Sequence, residues 1–128
     1  MIRWVDLGPF EPTGSVGVCT NERDLHAFMR RIGRVDTCQA WCEGAGASMW
    51  DFSHGNLNCA VICLDWAVLL KAPWTVACGR IAHEASHATD ALEEWIGERK
   101  FAGETRAYLV QQFTEFASST CPRKEGKK

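Results

Sequence analysis

Hydrophobic positions change their period once along this chain. Up to about residue 64 they alternate or come in short runs, and after Pro73 they recur every three to four residues. Ile2 to Leu7 reads as a strand, stopped by Gly8-Pro9, and Pro12-Thr13-Gly14 as a turn. Val16 to Cys19 is a second short strand. Thr20-Asn21 then caps a helix from Glu22 to Ile32, in which Leu25, Phe28, Met29 and Ile32 share a face and Gly33 marks the end. Val35 to Cys42 and Ser48 to Phe52 read as strands around the loop Glu43-Gly44-Ala45-Gly46. Ser53-His54-Gly55-Asn56 is a turn, followed by a β-rich run from Leu57 to Leu64.

The period then becomes helical. Trp74 to Ile96 reads as one long amphipathic helix, with Pro73 where a missing N–H does no harm and Gly97 at its end. A second helix starts at Phe101 or Gly103, runs to Ser118 and stops before Cys121-Pro122. Strands plus one helix, then two C-terminal helices, make an α+β class. The expectation is of helices packed on one face of a small, mainly antiparallel sheet.

Composition narrows the class. The 128 residues suffice for one domain with its own core, and 46% of them are apolar, with six Trp and six Phe, which excludes disorder. Fourteen basic against sixteen acidic residues leave a formal charge of −2, so bulk charge draws this chain neither to nucleic acid nor to a membrane surface. The one basic cluster, Arg123, Lys124, Lys127 and Lys128, reads as a solvated tail. Cys59 to Leu70, the longest apolar stretch, contains Asp65 and falls short of the roughly 20 residues that span a bilayer. The first twenty residues lack a basic start and a continuous apolar run, so a cytoplasmic protein is expected. Seven cysteines, an odd number, argue against a disulfide framework. Cys38/Cys42 and Cys59/Cys63 share one spacing. They are either four ligands of a second, structural metal or small apolar residues of the core.

The sharper chemical signal is His83-Glu84-Ala85-Ser86-His87, an HExxH match. Two histidines one helical turn apart can reach one metal ion, and the intervening Glu projects to the side, where it can act as a general base toward activated water. With His83 at zero and 100° per residue, His87 falls at about 40° and Asp90 at about −20°. Ala77, Ile81, Ala85, Ala88, Leu92 and Trp95 gather at about 120° to 200°. The histidines thus point away from the stripe that this helix buries. On the last helix Glu104, Tyr108, Gln111 and Glu115 share a polar face, opposite Leu109, Val110, Phe113, Phe116 and Ala117. If the two helices are antiparallel neighbours, Glu104 can complete a His2Glu site for one Zn²⁺ with an open vertex for water.

Plainer readings stand beside these. A histidine pair on a polar face is otherwise merely solvated, and Glu93, Glu94 and Glu98 rival Glu104 as carboxylates. Asp90 either holds the His87 ring or is an ordinary surface acid. Tyr108 either donates a hydrogen bond to a developing oxyanion or caps the pocket.

The pair of motifs resembles the zincin metallopeptidases, and among them the gluzincins, whose third ligand is a Glu on the following helix. The likeness is nearest to small phage- or prophage-encoded zincin-like proteins, which pair I-A-H-E-x-x-H with E-x-x-A-Y. Here these are Ile81 to His87 and Glu104 to Tyr108, within a resemblance covering about residues 73 to 113. It implies one minimal zincin-like domain over 1–128, with strands and one helix in 1–72, the metal-bearing helices in 73–120 and a basic tail in 121–128. It implies zinc on His83, His87 and Glu104, with Glu84 as general base. It also implies an edge strand, within Leu57 to Leu64 or Ser48 to Phe52, that pairs with an extended peptide beside the active-site helix. The bacterial host cytosol would be the setting of a phage-encoded protein.

Two functions follow. One is a zinc-dependent metallohydrolase, a minimal peptidase acting on a peptide or protein in the cleft. The other is a non-catalytic protein that keeps the scaffold for binding, as a phage assembly factor or an inhibitor of a host protein; the tryptophans suit either a core or a contact surface.

Overall fold

A computed structural model of the chain describes residues 1–8, 14–33, 41–54, 57–96 and 103–122. Four strands form one sheet: β1 (Arg3–Trp4), β2 (Ser15–Cys19), β3 (Ala47–His54) and β4 (Leu57–Leu64). The helices are α1 (Glu22–Arg31), the short α2 (Trp66–Leu69), α3 (Trp74–Ile96) and α4 (Gly103–Ser118), with a 3₁₀ turn at Cys42–Gly44. The α+β class holds, and the two long C-terminal helices lie where the periodicity puts them.

Strand order across the sheet is β1-β2-β4-β3. β1 and β3 pair antiparallel with their neighbours, whereas β2 and β4 run parallel, with Cys19 opposite Cys63. The sheet is therefore mixed, not mainly antiparallel. A parallel pair needs a crossover, and α1 lies in it. The helices are also not confined to one face. Val16, Val18, Ala60, Ile62 and Leu64 meet α3 and α4 on one side. Cys19, Cys59, Val61 and Cys63 meet Leu25, Phe28 and Met29 of α1 on the other. A central strand covered on both faces has no polar alternation, which is why β4 reads as an unbroken apolar run from Cys59 to Leu64.

Local chemistry accounts for the ends of these elements. Asn21 caps α1, its side-chain oxygen accepting from the Asp24 N–H at 2.9 Å. Asp65, which interrupts the apolar stretch, caps α2 through the Val68 N–H. The expected strand from Val35 to Cys42 falls largely outside the described residues; its last member, Cys42, begins the 3₁₀ turn. Gly44 and Gly46 follow at φ of 79° and 84°, left-handed conformations that glycine adopts without a Cβ penalty. Gly17 on β2 has another role. A Cβ there would lie 2.7 Å from the Trp4 ring and 2.8 Å from Ile2, so its bareness makes room for these two side chains over the β1–β2 pair.

α3 and α4 are antiparallel neighbours. Arg106, in the first turn of α4, meets the second half of α3. Thr120, just past α4, accepts from Trp66 at 3.0 Å, and Trp66 stacks on Trp74 at the start of α3. Between them Ala77, Ile81, Ala85, Ala88, Leu92 and Phe113 are fully buried. Truncating Phe113 to Ala empties the junction of both helices with the sheet. It should cost about 3–5 kcal/mol, read as a lower denaturant midpoint at unchanged slope.

Candidate metal centre

The buried stripe of α3 sets the direction of its other side chains. With Ala77, Ile81, Ala85, Ala88 and Leu92 inside, His83 and His87 emerge on the exposed face and Glu84 at its margin. The two imidazole Nε2 atoms stand 3.1 Å apart, with ring centroids 4.7 Å apart and planes at 86°. Two nitrogens on one tetrahedral zinc, each at about 2.05 Å, are about 3.3 Å apart. The donor pair therefore fits adjacent vertices of a single ion without a change of helix geometry.

Beside this pair is a cleft of about 470 Å³ lined by Ala45, Ala47, Val76, Gly79, Arg80, His83 and Glu84. Its far wall is the start of β3. Of the two runs expected to supply an edge strand, β3 is at the edge of the sheet and β4 is internal. Among the described residues β3 pairs on its β4 side only. Arg80 ties the two walls together, its Nη1 donating to the Ala45 carbonyl at 2.9 Å. The helical periodicity held the signal for this residue, since Arg80 lies one turn before Glu84, but the loop that it meets could not be read from spacing.

The structure brings His83 and Glu84 to this cleft, with His87 against His83, and does not bring Glu104 or Tyr108 to them. Arg106 points at α3; Glu104, two residues earlier, lies about 160° round α4 from that direction and is exposed. Both helices turn their apolar faces inward, so their polar faces diverge. Tyr108, 64% exposed, lines a different groove of about 380 Å³ with Asp6, Leu7, Gly8, Thr105, Leu109 and Gln112. Among the described residues no group of three His, Cys, Asp or Glu side chains is arranged to hold a metal. Asp90 accepts from Arg106 Nη1 at 2.7 Å, and Glu93 accepts from the same nitrogen at 2.6 Å. The other guanidinium nitrogen donates to Ser86 at 3.0 Å. The bonds and charges of Glu93, foremost, and of Asp90 push the Arg106 pKa up against a smaller opposing effect of burial. Arg106→Met should loosen α4 from α3 and lower stability by about 1–2 kcal/mol, measured by chemical denaturation. It should leave any metal content intact.

The cysteine spacing resolves as core packing. Cys59 and Cys63 lie four residues apart on an extended strand, about 13 Å, on one face but beyond the span of one ion. Cys38 lies outside the described residues. The Cys42 thiol donates to the Cys63 carbonyl at 3.5 Å, and that of Cys19 to the Asn21 carbonyl at 3.1 Å. Burial pushes the Cys42 thiol from the ordinary 9.0 up to about 11 and that of Cys59 up to about 12. Thiols so protonated are poor metal ligands and poor nucleophiles. Iodoacetamide at pH 8 should label the half-buried Cys78 and Cys121 first and spare Cys42 and Cys59 until the chain unfolds, as peptide mapping would show. Because these pKa values are raised on folding, their stabilising effect is complete below pH 9 and fades toward pH 12.

Comparison with protein-family models, curated proteins and solved structures finds no match for this chain.

Proposed function

We propose that this protein is a zinc-dependent metallohydrolase, most simply a minimal peptidase of zincin type. The observation that carries the reading is the His83–His87 nitrogen pair, 3.1 Å apart, with Glu84 beside it in a cleft walled by the start of an edge strand. His83 and His87 would hold the ion through Nε2, and Glu104 is the third donor that the sequence pattern offers. Bound there, zinc supplies a Lewis acid that polarises a carbonyl and lowers the pKa of water to about 7.

The remaining work belongs to the chain. Glu84 takes a proton from the attacking water and passes it to the leaving amine. Among the described residues β3 pairs on its β4 side only, and its outer edge would offer N–H and C=O groups to an extended peptide, which sets the scissile bond beside α3. No helix among the described residues is long and apolar enough to cross a membrane.

Elemental analysis should find one zinc per chain, lost in His83→Ala and in His87→Ala. Glu84→Gln should keep the zinc and lose turnover by about 10²- to 10⁴-fold on a mixed peptide substrate. Full activity in Glu84→Gln would refute the general base. A wild-type protein that binds zinc and peptide but hydrolyses nothing would instead favour the non-catalytic binding role.

A further inference from the structure

The cleft contains a cation that the hydrolytic reading does not use. Arg80 is half-buried and stands one turn before Glu84 on α3. It does not pair with that neighbour: its guanidinium crosses the cleft to the Ala45 carbonyl at 2.9 Å. A guanidinium carries five N–H donors in a fixed fork, so most of them remain after this bond. Among the described residues no carboxylate comes within ion-pair distance of it. Space is left beside it as well, because a Cβ on Gly79 would meet nothing within 4 Å.

The walls favour a charged partner. Val76 and Ala47 line the same cleft, so an ion pair made there would have apolar surface on its flanks and be less well screened than one in open water. The Ala45 bond also fixes the guanidinium in advance, so less side-chain freedom is lost when a ligand arrives.

We propose that Arg80 is the specificity-determining residue of this cleft and selects peptides with an acidic side chain beside the bond presented to Glu84. The inference rests on the reading that the cleft receives an extended peptide. Alternate side chains of a strand laid along the start of β3 turn toward α3. A carboxylate there can take two parallel N–H bonds from Arg80, whereas a lysine in that position would be repelled. Sequence periodicity places Arg80 on the helix face, but only its reach to Ala45 aims it at the peptide's path.

Binding tests this without requiring turnover. Full-length zinc-loaded Glu84→Gln protein would be titrated with fluorescein-labelled octapeptide pools that differ only in Glu, Gln or Lys at the varied positions. The Glu pool should bind about 10- to 100-fold tighter than the Gln pool. Adding Arg80→Gln, which keeps a donor for the Ala45 carbonyl, should abolish the difference, and Arg80→Glu should shift the preference to the Lys pool. Circular dichroism confirms that each variant is folded, and Arg80→Lys, which keeps the charge, should retain part of the preference. Equal binding of the Glu and Gln pools, binding of neither, or a preference that survives Arg80→Gln would overturn the proposal. An acidic preference in a protein whose wild type never hydrolyses peptide would support Arg80's role and sink the hydrolase reading alone.

Discussion

Burial of one stripe of α3 against the sheet is the constraint from which the rest follows. Ala77, Ile81, Ala85, Ala88 and Leu92 are all inaccessible to solvent, and the small residues among them let the helix lie close to β3 and β4. A helix fixed in rotation by its inner face has no freedom left in its outer one. His83 and His87 then emerge together, one turn apart, and Glu84 emerges beside the start of β3. Nothing in the histidines themselves secures this arrangement; it is set by three alanines, Ile81 and Leu92 on the far side of the helix.

The charges near α3 divide into two sets with different work. Toward its C-terminal half, Arg106 joins Ser86, Asp90 and Glu93 and holds α4 to α3. Three of its N–H groups go into that network, so it acts as a fastening. One turn before Glu84, Arg80 makes, among the described residues, a single bond to a backbone carbonyl across the cleft. Two arginines on neighbouring parts of one helix pair thus differ in kind, and the difference lies in how many of their N–H groups the protein itself satisfies.

The sheet shows why cysteine spacing misleads. β4 is central, parallel to β2 on one side and antiparallel to β3 on the other, and both its faces are covered. Cys59 and Cys63 fill the α1 face as small apolar residues, interleaved with Ala60, Ile62 and Leu64 on the opposite face. On a helix, four residues separate two side chains by one turn; on a strand they separate them by about 13 Å. The same interval that brings His83 and His87 together therefore keeps these two thiols apart.

Periodicity alone located α3 and α4 with their buried faces, the strand from Leu57 to Leu64, the capped α1 and the HExxH face. Each of these is a local consequence of side-chain spacing on a single element. What spacing cannot carry is how one element is turned toward another. The sequence pattern set Glu104 and Tyr108 on the polar face of α4, and the expectation that this face meets the histidines required the two polar faces to converge. Packing brings the apolar faces together instead, so the polar ones diverge, and Arg106 rather than Glu104 looks at α3. The choice of β3 as the edge strand, the parallel pairing of β2 with β4 and the reach of Arg80 to Ala45 were likewise decided by tertiary structure. They depend on contacts between residues far apart in the chain, which are formed only when the burial of all the apolar faces is satisfied at once.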